Sequence, residues 1–245
     1  VVASIIEDKA NETKNVNFKV ENFILTTSKI DFVANINNNS NIMIKGDLAI
    51  LAKEFDLKYD MNIKDFSKLK KLTNLDFKGS FNTKGSVKGS EKLLVIEGLS
   101  DIFESKTTYS VKLTDFEPTD ILFNIKKAKI DKVLYMLNQE NYAKGFVNIN
   151  GDIKNLEGSI VTDIYNGKIN NAVVNKTFNQ KLLQPLNFEG KINSNVYKDK
   201  VVSDIDFLTS MANVFVNEAV VNLKDGTIKS DYLLRVNKLS KLYDV

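Results

Sequence analysis

The sequence contains no histidine, no cysteine and no tryptophan, and Arg235 is its only arginine. Without histidine there is no imidazole general base and no Ser-His-Asp triad. Without cysteine there is no thiol nucleophile and no disulfide, and zinc, haem and iron–sulfur centres lose their usual ligands. No cofactor or metal is expected, and the prior for catalysis is low. Long apolar runs are missing too: the longest, Leu48–Ala52 and Val133–Leu137, fall far short of a membrane-spanning helix, and no signal peptide is evident. A cysteine-free chain suits either a reducing cytosol or a periplasmic protein that needs no bridges. The first residue is Val1 rather than Met, which suggests an excised or processed segment whose upstream anchor has been removed.

What is present is a 245-residue chain with 43% apolar and 27% charged residues, enough for a sizeable core. Lys and Arg number 34 against 31 Asp and Glu, and a net +3 is too dilute to imply a nucleic-acid partner. Asn occurs thirty times and lysine supplies nearly all the positive charge, a bias that an AT-rich genome explains.

The dominant period is two. Phe55, Leu57, Tyr59, Met61 and Ile63 alternate with Asp56, Lys58, Asp60 and Asn62, which gives a strand one oily and one wet face. The pattern recurs at Ile30–Ile36, Tyr109–Leu113, Ile121–Ile125, Val147–Ile153, Ile160–Ile164, Ala219–Leu223 and Ile228–Val236. Asn37–Asn41, Lys45-Gly46-Asp47, Gly89-Ser90, Asn166-Gly167 and Asp225-Gly226 read as the turns between them. A mainly β fold of about a dozen antiparallel strands in meander order is expected. Two short helices are predicted, over Asp65–Leu72 with Asp65 as N-cap and over Ile130–Gln139, whereas Asn175–Leu183 reads as a loop with room for a single turn.

An internal repeat is visible. Ile63-Lys64-Asp65-Phe66-Ser67-Lys68-Leu69 matches Val236-Asn237-Lys238-Leu239-Ser240-Lys241-Leu242, and Gly79–Gly85 parallels Gly145–Gly151. The unit is an alternating strand, a short lysine-bearing helix and a glycine-punctuated hairpin, and repetition of a unit that cannot bury its own face suggests an elongated stack. The approximate repeats are 1–54, 55–122, 123–227 and the start of another at 228–245, within one elongated domain.

Candidate chemical motifs have plainer readings. The glycines of Gly79–Gly89 lack the Gly-Lys-Ser/Thr of a phosphate loop and read as strand glycines. Asp204/Asp206, Asp56/Asp60 and Asp115/Glu117 sit on polar faces and read as solvated surface; Asp225-Gly226 lacks a calcium loop's carboxylate series. A glycoside hydrolase would need two carboxylates facing across a cleft, and the sequence offers only same-face pairs. Lys64, Lys68, Lys70 and Lys71, and Lys126, Lys127 and Lys129, form basic clusters that read first as solvated turns and helix faces and second as contacts for anionic headgroups.

Many one-faced strands with few helices to cover them require a closed barrel, a sandwich or a curved sheet filled by ligand. At about 25 cal/mol per Å², a bare apolar patch of roughly 400 Å² forgoes on the order of 10 kcal/mol of burial. The expected lining of such a sheet is Leu57, Tyr59, Met61, Ile63, Phe81, Val111, Leu113, Phe123, Ile125, Val147, Ile149, Tyr232 and Leu234.

Strands leading into Phe66-Ser67-Lys68-Leu69 and Leu239-Ser240-Lys241-Leu242, followed by Gly-x5-Gly segments, resemble the repeats of AsmA-like, TamB-related bacterial envelope proteins. The resemblance covers Tyr59–Leu69, Gly79–Gly98, Phe123–Gly158 and Tyr232–Leu242, about a third of the chain. It implies a strongly curved antiparallel β-groove or half-pipe and a non-enzymatic role in the periplasm, anchored to the inner membrane by a segment outside this chain. It also implies phospholipid acyl chains as ligand, inner- and outer-membrane components as partners, and a part in outer-membrane biogenesis. The alternative is a structural or adhesive β-repeat protein whose oily faces close on each other as a sandwich.

Overall fold

A computed structural model of the chain describes residues 16–21, 28–36, 40–70, 76–179, 182 and 186–236. The protein is mainly β and antiparallel, with fourteen strands among these residues: β1 (Val16–Glu21), β2 (Ser28–Ile36), β3 (Ser40–Ala49), β4 (Glu54–Ile63), β5 (Phe81–Ser90), β6 (Leu93–Ser100), β7 (Lys106–Thr114), β8 (Glu117–Lys129), β9 (Ala143–Lys154), β10 (Glu157–Ile169), β11 (Asn187–Val196), β12 (Lys200–Thr209), β13 (Ala212–Asn222) and β14 (Ile228–Val236). Two helices, α1 (Ile130–Met136) and α2 (Asn171–Phe178), and two 3-10 turns accompany them. Among the described residues no helix is long and apolar enough to cross a membrane.

The chain divides into two compact units. The first comprises Val1–Ile102, Thr107–Pro118 and Met136–Asn138; the second comprises Phe103–Lys106, Thr119–Tyr135 and Gln139–Val245. In each, strand order is chain order, a plain meander, and among the described strands the last does not pair back with the first. This follows from the sequence: alternating runs of six to thirteen residues, most of them joined by short connections, bring each strand beside its predecessor.

In the first unit the register runs without a shift from β1 to β7, so cross-strand partners stack into rows on one face. In the second unit three strands depart from strict alternation through β-bulges. Each contains a non-glycine residue with positive φ: Lys127 (56°) in β8, Asn166 (50°) in β10 and Glu218 (54°) in β13. A bulge lets two consecutive residues occupy one position, so the apolar phase resumes beyond it at Ala128, Gly167 and Val216.

Several expectations about turns and helices are corrected. Lys45-Gly46-Asp47 lies inside β3, where a Cβ on Gly46 (φ 145°) would sit 2.0 Å from the Asp56 carbonyl oxygen; close strand approach, not a turn, requires that glycine. Asn166-Gly167 is the β10 bulge rather than a hairpin. Gly89-Ser90 ends β5, with the turn itself at Glu91 and Lys92, and Asp225-Gly226 does lie in a turn, between β13 and β14. Two further tight turns carry Asp115-Phe116 (52° and 64°) and Asn155-Leu156 (50° and 67°), pairs of positive φ that hairpins normally give to glycine.

The segment after β4 opens with the 3-10 turn Phe66–Leu69, and Lys70, which follows, is helical. Asp65 is its N-cap as expected, its carboxylate accepting from the Ser67 amide (3.1 Å) and hydroxyl (2.7 Å). Residues 71 and 72 of the predicted helix lie outside the described residues, as do 37–39 of the predicted Asn37–Asn41 turn and the whole second copy of the junction from Asn237. Helix α1 stops at Met136, short of Gln139. The single turn allowed from Asn175 is the last turn of helix α2, which begins four residues earlier than expected, and Asn179 in the left-handed conformation terminates it. Asn175 then ties the helix to the chain beyond it, accepting from the Leu182 amide at 2.8 Å and donating to its carbonyl at 3.2 Å.

Candidate functional site

The unbroken register of the first unit fixes which side chains share a face. One row runs Ile30, Gly46, Leu57, Val87, Ile96, Val111; the next runs Phe32, Ile44, Tyr59, Gly85, Gly98, Tyr109. Rows through Leu48, Phe55, Leu94 and Leu113 and through Ala34, Ile42 and Met61 flank them. The predicted residues Leu57, Tyr59, Met61, Ile63, Phe81, Val111 and Leu113 therefore lie on a single apolar face. The opposite face carries Asp31, Lys45, Lys58, Asp60, Lys84, Lys88 and Lys112. In the second unit the same reasoning brings Phe123, Ile125, Val147, Ile149, Tyr232 and Leu234 to one face, with Ile160, Ile192, Ile205 and Val216 between them.

Burial of these thirteen is uneven. Tyr59, Ile63 and Val147 are buried; Leu57, Met61, Phe81, Val111, Leu113, Phe123, Ile125 and Ile149 are half-buried; Tyr232 and Leu234 on β14 are exposed. Adjacent strands supply most of the contacts between elements within each unit. In the first unit aromatic clusters stand at the face's two ends: Phe66 packs on Phe77 and Phe81 (5.8 and 5.6 Å between centroids), and Phe55 meets Phe116 edge-on at 6.3 Å.

Between those ends the face is smoothed by rings laid over glycines. Tyr59 and Tyr109 approach each other across Gly85 and Gly98, their hydroxyl oxygens 2.6 Å apart. A Cβ on Gly98 would lie 2.5 Å from the Tyr59 oxygen and 2.6 Å from that of Tyr109, so only glycine leaves room for the pair. Thr83 is 2.6 Å from the Tyr109 hydroxyl, and Tyr59 donates to the Glu97 carbonyl at 3.1 Å. Thr83 also donates to the Leu99 carbonyl at 3.1 Å, so the three hydroxyls form a chain that ends on a backbone carbonyl at each side. Burial, and then the Tyr109 hydrogen bond, push the Tyr59 phenol well above its ordinary pKa, so it stays neutral. In the second unit Phe123 lies across Gly151, and Phe188 covers Gly167 while stacking on Phe207 at 4.8 Å. The sequence reading missed these aromatic–glycine pairings; the signal was glycine at an inward position of an alternating strand beside an inward aromatic on the next.

The remaining motifs are dispersed. Asp204 caps the β13 bulge, accepting from the Glu218 amide at 3.0 Å, as Asn148 does for Lys127 at 2.9 Å. Asp206 pairs in register with Lys191, and Asp56 forms an ion pair with Lys88 at 3.3 Å. Lys70 pairs with Asp76 at 3.0 Å. Lys129 and Lys132 both grip Glu104, whose carboxyl is held down to about 2 by those two hydrogen bonds, Lys129's first. Among the described residues no group of three acidic side chains is arranged to hold a metal ion.

A cavity of about 690 Å³ in the first unit is lined by Met43, Lys45, Lys58, Asp60, Lys84, Ser86, Glu97 and Leu99 of the polar face together with Tyr59, Gly85, Gly98 and Tyr109 of the central apolar row. No protein-family model matches the chain, and no curated protein or solved structure does either.

Proposed function

We propose that the chain is a non-enzymatic lipid-binding segment of an AsmA-like envelope protein, in which the apolar faces form a curved groove sheltering phospholipid acyl chains. The observation that carries the reading is the pairing register. It gathers all thirteen expected lining residues onto one face per unit, eight of them half-buried and two exposed. Six strands from β2 to β7 give a width of about 24 Å at about 4.8 Å per strand, enough for an acyl chain to lie across them. Each methylene so covered contributes about 0.8 kcal/mol. Aromatic side chains lie over Gly98, Gly151 and Gly167 on these faces, and the lysines of the opposite face stay in water.

In this reading the protein works in the periplasm, held at the inner membrane by a segment outside this chain, and passes phospholipid between the membranes. Organic extraction and mass spectrometry of the purified protein test it: co-purifying phospholipid is expected, and Met61→Asp or Phe123→Asp should remove it while β circular dichroism persists. A lipid-free protein would instead favour a scaffold whose apolar faces close on each other.

A further inference from the structure

The hydroxyl chain of the first unit is a polar station set into an apolar face, and it has no hydrogen to spare. Four contacts hold it: Thr83 to the Leu99 carbonyl (3.1 Å), Thr83 to Tyr109 (2.6 Å), Tyr109 to Tyr59 (2.6 Å) and Tyr59 to the Glu97 carbonyl (3.1 Å). Each hydroxyl brings one hydrogen, so three hydrogens serve four contacts. Two oxygens with no hydrogen between them repel at 2.6 Å and are tolerated at 3.1 Å, so both inner contacts stay bridged and the outer two alternate.

The chain therefore runs in one of two directions. Ending on the Glu97 carbonyl, it leaves Thr83 as the hydroxyl that accepts nothing; ending on the Leu99 carbonyl, it leaves Tyr59. Tyr59 is buried and Thr83 only half-buried. An oxygen without a donor costs least where solvent or a ligand reaches it, so the first direction prevails and Thr83 Oγ1 heads the chain as a bare acceptor. Ser100, in register with Thr83 on β6, donates to the Asn82 carbonyl at 2.8 Å and so has no hydrogen to offer either. Burial holds the Tyr59 phenol protonated, so the hydrogen count stands at neutral pH.

We propose that this station selects lipids with an uncharged hydroxyl at the root of an acyl chain, a lysophospholipid being the type, over lipids that present only ester and phosphate acceptors. The selection presupposes the lipid-binding reading of the apolar face. The ester carbonyls of a diacyl phosphatidylcholine meet only lone pairs at Thr83, whereas a free glycerol hydroxyl donates to Thr83 Oγ1. A charged donor such as an ammonium is disfavoured, because Thr83 lies between half-buried Met61 on β4 and Phe81 on its own strand, where a cation would lose its water.

Calorimetric titration of the 245-residue chain with 1-dodecanoyl-lysophosphatidylcholine and with its 2-O-methyl ether, both below their micelle concentrations, tests it. The two probes share chain and headgroup and differ in the one donated hydrogen. The wild type should bind the hydroxyl lipid about fivefold tighter or more, the worth of one hydrogen bond. Thr83→Ser, which keeps the hydroxyl, should retain that preference, and Thr83→Val should bring the two affinities within about twofold, with circular dichroism checking that each variant is folded. Equal binding of the two probes by the wild type overturns the selection and leaves lipid binding standing; so does a preference that survives in Thr83→Val. Failure of the wild type to bind either probe overturns the lipid-binding reading and the selection with it.

Discussion

Replacing Gly98 with alanine isolates the device that lays aromatic rings flat on the apolar face. The added methyl would meet the Tyr59 and Tyr109 oxygens at 2.5 and 2.6 Å, where ordinary contact begins near 3.4 Å. Both rings must therefore retreat by about 1 Å, a typical overpacking strain of about 1–3 kcal/mol. Their retreat also breaks the hydroxyl relay from Thr83 to the Glu97 carbonyl, about 1 kcal/mol per hydrogen bond. Together these give about 2–4 kcal/mol. At about 2–4 °C per kcal/mol for a chain this size, the melting temperature should fall by roughly 5–15 °C. Thermal unfolding followed by far-UV circular dichroism and tyrosine fluorescence, undisturbed by tryptophan, reads both the sheet and the ring environment. Gly226→Ala is the control: its Cβ would meet nothing within 4 Å, and only its positive φ of 70° resists, at about 1–2 kcal/mol. Adding Tyr59→Phe to Gly98→Ala removes one of the clashing oxygens, so the double variant should lose less than the sum of the single losses. A Gly98→Ala protein melting within about 2 °C of wild type, or strict additivity in the pair, would refute the reasoning.

Further expectations concern the second unit. Asp204→Ala leaves the Glu218 bulge amide without its protein acceptor and should lower stability by about 1 kcal/mol in urea unfolding, with Asp204→Asn recovering part of it. The Glu104 carboxyl has its pKa lowered to about 2 from 4.5 by Lys129 and Lys132, so its contribution is complete above about pH 4.5 and disappears as pH falls towards 2. Glu104→Gln should therefore flatten the stability profile across that window, and high salt should shrink the difference at neutral pH because the group is exposed.

The strand pattern was legible because alternation is a local property: Phe55–Ile63 reads the same in sequence as in β4. Register was not, although it follows once neighbouring strands pair in chain order, and it is register that puts Leu57 beside Val87 and Val111 in one row. The turns were the weakest inference. Gly46 and Gly167 carry turn-type sequences but serve close strand approach and a bulge, whereas Asp115-Phe116 and Asn155-Leu156 turn the chain with no glycine. Helix α2 escaped notice because its asparagines suit loops, and its stabilising Asn175–Leu182 hydrogen bonds bridge seven residues. Asp204 looked like solvated surface because the amide it caps, fourteen residues downstream, belongs to another strand.

Whether lipid occupies the apolar rows is answered most directly by a photoreactive benzophenone amino acid placed in turn on the two faces of the same strands. Leu57, Val111 and Ile149 report the apolar face; Lys58, Lys112 and Asn150 report the polar one. After irradiation in cells or with phospholipid vesicles, the account predicts phospholipid adducts at the first three positions and none at the other three. Adducts divided evenly between the faces, or absent from both, would contradict it.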